Sequence, residues 1–335
     1  MGGVCGKIER LFRFQLIHRI QIMRIRPILR GVKSYLPFSS ATPACTGGTI
    51  SARYCYGVWL RHQVTLFENG LDPNPLIVAE LGPGDSLGIG LAALLSGAQR
   101  YIALDVVAHA APDRNLAVFD ELAALFRDRA AIPDAEEFPQ VYPRLTRYDF
   151  PILILDDERL QRALAPERIQ KIRKDLASLY NPDADTFVSY ICPWSDVDAV
   201  QAGSVDLVFS QAVLEHVDDI QFTYGACYQW LKPGGVMSHQ VDFKSHGITD
   251  EWNGQWGYPD WLWTITRGRK PYFINREPLS SHLAAIREAG FEIVGVLPVH
   301  KEGGLRRREL AGRFRAMTDD DLGTASAHIL ARKPR

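Results

Sequence analysis

A glycine-rich turn with an acidic residue before it is the first feature that could bind a ligand. The segment VAELGPGDSLG places Glu80 directly before a turn that contains Gly82, Pro83 and Gly84. Glycine lets a backbone approach a ligand closely and adopt positive φ. A carboxylate beside that turn would repel the pyrophosphate of a dinucleotide and attract a positively charged group. The segment therefore favours a cationic ligand, such as a sulfonium compound with a free ammonium group.

A second carboxylate, Asp105, follows the next apolar run, 21 residues after Gly84. At the end of the second strand of a nucleotide-binding fold, a carboxylate can accept hydrogen bonds from ribose hydroxyls. Glu80 and Asp105 together predict a ligand with a positive charge and a ribose. The alternative is that both are ordinary acidic residues at strand ends.

The segment SHQVDFKSH contains the predicted catalytic residues, His239, Asp242 and His246. Histidine titrates near neutral pH and can accept the proton of a hydroxyl group. His239 and Asp242 are separated by an odd number of positions, so they point to opposite faces of a strand. Their spacing is not diagnostic of a metal site, and we predict none. Glu215 and His216 form a second, lower-ranked pair, and the alternative for all of them is a structural role.

An aromatic segment follows, with four tryptophans within twelve residues at 252–263. We predict that Trp252 and Trp256, with Asn275 and Arg276, contact the substrate, because an aromatic face can stack on a sugar ring. The alternative is a small core beneath a long loop, which bulky side chains would also build.

The elements that must position these residues follow from alternating apolar runs and helical patterns. Apolar runs of strand length occupy 76–81, 101–107, 186–192, 204–210, 236–243, 291–299 and 325–333. Helices are predicted between them, including 86–98 and 211–231. Strands that alternate with helices predict an α/β fold with a doubly wound sheet.

The organisation along the chain has three parts. We predict a basic helical extension and linker at 1–48 and one ligand-binding domain at 49–335. Two insertions, at 108–185 and 244–280, are longer than such a domain needs. Long segments after the strand ends of an α/β sheet often cover the ligand crevice.

Four segments of the chain resemble the class I S-adenosylmethionine-dependent methyltransferases. They are VAELGPGDSLG, IALD, SVDLVFSQAVLEHV and WLKPGG. The resemblance implies a Rossmann-like sheet of seven strands whose last strand is antiparallel, and S-adenosylmethionine as the cofactor. It implies further that Glu80 and the glycine turn contact the methionine part and Asp105 the ribose. Ser210 and Gln211 would line the same pocket.

The resemblance has one gap, at the place where many members carry an adenine-binding aspartate after the third strand. Here the sequence reads YICPWSDV, so Cys192 and Trp194 occupy that place and Asp196 comes slightly later. Adenine would then stack on an apolar wall or be reached by Asp196, and the sequence does not choose between these.

The substrate expectation rests on a looser resemblance of HQVDFKSH, NREP and GF to bacterial glycan and secondary-metabolite methyltransferases. It implies methylation of a hydroxyl on a sugar or another small molecule. The alternatives are an NAD-dependent Rossmann oxidoreductase or nucleotide-sugar enzyme, and a non-catalytic adenosyl-binding module. Glu80 before the glycines disfavours the oxidoreductase.

The composition of the chain limits the kinds of partner and the compartment that we expect for it. A formal net charge of −1 gives no basic field for nucleic acid. Five cysteines without a CxxC pair favour a reducing cytoplasm over a disulfide framework or zinc site.

Basic and apolar residues interleave over 7–33, which is compatible with weak contact to the inner face of an anionic membrane. A solvated basic helix packed on the domain is the favoured alternative for that segment.

Overall fold

The computed structural model describes residues 24–36, 48–179, 186–270 and 272–335. Its centre is a sheet of seven strands in the order β3-β2-β1-β4-β5-β7-β6. The strands are β1 (Ile77–Leu81), β2 (Arg100–Leu104), β3 (Val188–Ile191), β4 (Val205–Gln211), β5 (Leu231–Asp242), β6 (Glu292–His300) and β7 (Thr324–Arg332). The first five are parallel, and β7 is antiparallel to both β5 and β6. The predicted α/β fold with one antiparallel last strand is confirmed.

Helices cover both faces of the sheet, as a doubly wound fold requires. The helices of the described residues are α1 (Ile25–Lys33), α2 (Ala52–Glu68), α3 (Gly88–Leu95), α4 (Pro112–Arg127), α5 (Asp157–Ala163), α6 (Pro166–Ala177), α7 (Ile220–Trp230), α8 (Asp260–Arg267), α9 (Leu279–Glu288) and α10 (Asp319–Gly323). One apolar core lies between the sheet and α2 to α6. A second core lies on the opposite face, beneath α7 and α9.

The direction of winding changes between β1 and β4, which are neighbours in the sheet although β2 and β3 separate them in sequence. Ligands of open α/β sheets bind at the carboxyl ends of the strands at such a switch point. Gly82 follows β1 there, and Val213 follows β4. The two segments touch, because a Cβ added to Gly82 would lie 2.7 Å from Val213 Cγ1.

The helix predicted over 211–231 begins only at Ile220, so this prediction is wrong in its first half. The preceding residues end β4 and form a short 3-10 turn, Leu214–His216. Asp219 determines the start of α7, because its side chain accepts a hydrogen bond of 2.8 Å from the backbone N–H of Phe222. The carboxyl edge of β4 therefore carries Glu215 and His216 on a turn and not on a helix.

The described part of the first insertion forms α4, α5 and α6, whose apolar side chains join the core beneath α2 and α3. Residues 244–280 form a cap with a small core of Ile248, Tyr258, Trp263 and Ile274. Helix α1 packs against α8 of this cap. Most of the predicted extension at 1–48 lies outside the described residues.

Candidate active site

The glycine turn and Asp105 lie together at the carboxyl ends of β1 and β2. Gly82 and Gly84 have φ of 63° and 76°, a region that favours glycine. Asp105 is nearly buried and accepts a hydrogen bond of 2.8 Å from the backbone N–H of Val106. Burial raises the pKa of Asp105, while the N–H groups of Val106, Val107 and Gly84 oppose that rise. Asp105 thus sits against the turn, in the place predicted for it.

Glu80 faces the interior. The phenol of Tyr101 donates a hydrogen bond of 2.5 Å to its Oε2, and the residue is 1% exposed. Burial raises the pKa of Glu80 to about 8, although Tyr101 and the backbone of Gly90 favour the ionised form. Room for Tyr101 depends on Gly90, where an added Cβ would lie 2.0 Å from the phenol ring. The sequence analysis did not predict that Tyr101 packs on Gly90 and binds Glu80. The one signal of this contact was a glycine inside a predicted helix.

The N-terminus of α3 uses its backbone N–H groups internally. The N–H of Leu87 donates to Asn115 Oδ1 at 2.9 Å, and that of Gly88 donates to Ser86 Oγ at 3.1 Å. In Rossmann dinucleotide sites these groups bind the pyrophosphate. Their engagement by side chains of the chain itself weighs against that class of ligand here.

His239 lies in the core, which corrects its predicted catalytic position. It is fully buried on β5, with Nδ1 2.8 Å from Ser210 Oγ and its ring against Tyr224. Burial lowers the pKa of His239 to about 3. A base at this depth cannot reach an acceptor bound at the end of the strand. Ser210, also predicted to line the cofactor pocket, is likewise fully buried, whereas Gln211 is half-buried.

Asp242 and His246 remain at the carboxyl end of β5. Asp242 Oδ2 lies 3.5 Å from His246 Nε2 and 3.0 Å from Lys244 Nζ. Although burial opposes it, hydrogen bonding to His246 and the charge of Lys244 lower the pKa of Asp242. His246 is exposed and has φ of 49°, which is uncommon for a residue other than glycine. His239 and Asp242 lie three positions apart in the regular ladder between β5 and β7, which places them on opposite faces of β5.

The lower-ranked pair lies next to these residues. One ligand atom each from Glu215, His216 and His246 lie within 4.8 Å of one another. Burial, followed by the negative charge of Asp242, raises the pKa of Glu215 well above its usual range. Burial and the neighbouring His246 lower the pKa of His216 to about 4. The β4 turn and the β5 end thereby bring two acids and two imidazoles to one place.

The tryptophans mainly build the cap. Trp252 and Trp256 are buried edge to face, and their indole N–H groups donate to backbone carbonyls of Gly303 and Arg276. Trp263 belongs to the cap core, and only Trp261 of the four is exposed, at 66%. The small core considered as the alternative therefore accounts for most of this segment.

Asn275 and Arg276 also make structural contacts. The Asn275 amide donates to the carbonyls of Leu214 and Val217 at 2.8 Å, which ties the cap to the β4 turn. The Arg276 guanidinium donates to Asp260 at 2.7 Å and lies 4.6 Å from the Trp263 ring centroid. Burial lowers the pKa of Arg276 to about 10.

A small open cavity lies between these cap residues and the ends of β4 and β5. Its walls include Glu215, Asp242, Lys244, Gln255, Trp256 and Arg276. Glu215 and Gln255 contribute oxygens that have no hydrogen-bond partner within the described ranges. The cavity therefore offers unpartnered acceptors, and Arg276 Nε adds an unpartnered donor. Gln255 was not singled out from the sequence.

A comparison with known families matches one stretch of the chain, from the region before β3 into β5. Residues 164–238 match the family described as "Methyltransferase domain". The chain is an S-adenosylmethionine-dependent methyltransferase. Its cofactor is S-adenosylmethionine. No curated protein matches this methyltransferase in sequence.

Several solved structures are distantly similar in shape to this methyltransferase. An S-adenosylmethionine-dependent methyltransferase from Mesorhizobium loti is 15% identical over 80% of this chain and 96% of its own, with a TM-score of 0.40. Phosphoethanolamine N-methyltransferase 2 from Haemonchus contortus is 14% identical over 91% and 60%, with a TM-score of 0.44. A methyltransferase from Methanosarcina mazei is 12% identical over 80% and 97%, with a TM-score of 0.42.

Within the described ranges, no helix of the methyltransferase combines the length and apolar character that crossing a bilayer requires.

Proposed function

We propose that this methyltransferase methylates a hydroxyl group of a sugar or another small molecule that binds in the cavity beside Asp242. The observation that carries the proposal is the set of unpartnered acceptor oxygens on Glu215 and Gln255. Buried acceptors without donors are costly, and hydroxyl groups supply the donors they lack.

On the cofactor side, we propose that Gly82, Pro83 and Gly84 lie along the methionine part and that Asp105 accepts from the ribose. The positive φ of both glycines and the position of Asp105 against Gly84 support this assignment. Gln211 would line the pocket, whereas Glu80, enclosed against Tyr101, would support the turn from beneath and would not touch the cofactor itself. When bound, S-adenosylmethionine supplies a methyl group on a sulfonium, which makes the sulfur a good leaving group.

On the acceptor side, we propose that His246 activates the hydroxyl and that Asp242 orients its imidazole. The new bond joins the acceptor oxygen to the methyl carbon, the carbon–sulfur bond breaks with its electron pair on sulfur, and the hydroxyl proton leaves to the base. His246 is exposed at the end of β5, whereas His239 is enclosed in the core. Trp256 and Arg276 form part of the acceptor wall.

The experiment compares acceptors by the class of nucleophile they offer. Sugars, small alcohols and phenols are tested beside amines and carboxylates of similar size, and the methylated atom is located by mass spectrometry and NMR. Methylation confined to hydroxyls, with a large loss of kcat in His246→Ala, is the expected result. Preferential methylation of an amine or a carboxylate would refute the proposed acceptor class.

We also propose that α1 contacts an anionic membrane surface. Residues 7–23 of the predicted contact lie outside the described residues, but Ile25, Leu29 and Val32 are 63%, 60% and 51% exposed. Their i, i+4, i+7 spacing places them on one side of the helix. Arg26 and Arg30 are exposed on the same helix. Exposed apolar side chains beside arginines are typical of helices that lie in the interface of anionic bilayers.

A further inference from the structure

Three side chains from two strand ends converge beside the acceptor cavity. Glu215 and His216 stand on the turn after β4, and His246 stands on the loop after β5. One carboxylate oxygen and one nitrogen from each imidazole lie within 4.8 Å of one another. We propose that these three residues bind a divalent transition-metal ion.

The hydrogen bond of His216 fixes the nitrogen that is available to an ion. Its Nδ1 lies 2.6 Å from the backbone carbonyl oxygen of Tyr272. Because a carbonyl only accepts, Nδ1 carries the proton and the lone pair resides on Nε2. Histidines that bind metals usually donate their other N–H in this way.

His246 has a more distant, acidic partner. Its Nε2 lies 3.5 Å from Asp242 Oδ2, and a carboxylate in that position holds a proton on Nε2 and leaves the lone pair on Nδ1. Asp242 is itself held by the backbone N–H of Lys244 at 2.8 Å. Asp242 therefore acts as a positioning residue for His246 in this arrangement.

The burial of Glu215 is the second observation that points to a cation. The residue is 3% exposed, and neither of its carboxylate oxygens has a hydrogen-bond partner within the described ranges. A buried carboxylate without a partner is unfavourable unless it is protonated or meets a cation.

The donor set determines the class of ion. Two imidazole nitrogens and one carboxylate oxygen suit Zn²⁺ and other first-row transition ions, whereas Mg²⁺ and Ca²⁺ prefer oxygen ligands. The exposure of His246 leaves one side of the site open. The inference rests on the proposed function and changes the role of His246 in it. The residue would hold an ion that binds the acceptor hydroxyl and lowers its pKa, and the hydroxyl proton would leave to water in place of His246.

The test uses the complete chain without a histidine tag, treated with a chelator and then titrated with Co²⁺. We expect one Co²⁺ per chain, with visible absorption bands that Zn²⁺ abolishes and Mg²⁺ does not. His246→Ala should abolish the bands, since the residue is exposed and its loss spares the core. Asp242→Asn should weaken Co²⁺ binding about 10- to 100-fold, the usual effect of losing a residue that orients a ligand.

The matched control is His300→Ala. His300 lies 3.7 Å from Asp320 on an exposed surface, so it reproduces the histidine–aspartate pair away from the cavity. Its removal should leave Co²⁺ binding unchanged. The proposal is overturned if the wild-type chain shows no Co²⁺ bands, or if His246→Ala and His300→Ala bind Co²⁺ alike.

Glu215→Gln tests the third ligand, because it keeps the side-chain shape and removes the charge. An unchanged Co²⁺ affinity in this variant would exclude Glu215 from the site and overturn the three-ligand assignment. Co²⁺ binding without methylation of any hydroxyl would refute the proposed function and leave the metal site intact. Hydroxyl methylation at full rate by a chain that binds no Co²⁺ would overturn the metal site and leave the proposed function intact.

Discussion

The pH dependence of stability should change sharply when Glu80 becomes glutamine. Burial raises the pKa of Glu80 to about 8 in the folded chain, against an ordinary value of 4.5. Between these two values the unfolded chain releases a proton that the folded chain retains. The contribution of Glu80 to stability is therefore fully present below pH 4.5 and is lost as the pH rises towards 8.

The magnitude follows from the size of the shift. Each pKa unit corresponds to about 1.4 kcal/mol, so Glu80 should cost about 3 kcal/mol of stability between pH 5 and pH 7.5. Glu80→Gln keeps an acceptor for the Tyr101 hydroxyl but does not ionise. We expect the variant to have a stability close to wild type at pH 5 and to exceed it by about 3 kcal/mol at pH 7.5.

Urea unfolding followed by tryptophan fluorescence at several pH values measures this difference. All other titrating groups change the free energy of unfolding of both proteins equally, so they cancel when the two are compared at the same pH. Glu121→Gln, on the exposed side of α4, controls for the removal of one carboxylate from the chain. A free-energy difference between Glu80→Gln and wild type that stays constant from pH 5 to pH 7.5 would show that Glu80 ionises normally in the fold.

Four further predictions concern the cofactor site, the core and the membrane. Asp105→Ala should weaken S-adenosylmethionine binding by about 1.5–3 kcal/mol in calorimetry, and unchanged binding would remove its ribose role. Gly82→Ala should lower stability in urea unfolding by more than the roughly 1–2 kcal/mol of its positive φ, because the new Cβ would meet Val213. His239→Gln should lower thermal stability but leave kcat largely unchanged, whereas a well-folded variant without activity would return His239 to the catalytic site. Leu29→Glu should reduce sedimentation with anionic vesicles, whereas Leu297→Glu, which changes an exposed leucine on β6, should not.

The pattern of apolar residues was sufficient to predict the sheet, because short apolar runs that alternate with helices are compatible with few other folds. The run at 76–81 and the observed β1 at Ile77–Leu81 differ by one residue. The segment after β4 was harder, since QAVLEHV has the apolar content of a helix. Capping by Asp219 delays the helix, and Ala212 takes a φ of 54° at the end of β4. Such local choices depend on single hydrogen bonds that apolar periodicity does not report.

The closeness of the two histidines in sequence does not reveal how deeply each one is buried in the sheet. His239 and His246 are seven residues apart. His239 is buried in the core, whereas His246 is exposed beyond the end of the strand. His239 pairs in register with Ser210 and Ile329, so strands flank it on both sides. His246 has passed the last paired residue of β5, Asp242. A catalytic residue of a parallel sheet must lie beyond the last ladder pair to reach the crevice. The end of the β5–β7 ladder thus separates the two histidines, and it favours His246, beside Glu215 and His216, as the residue that acts on the acceptor.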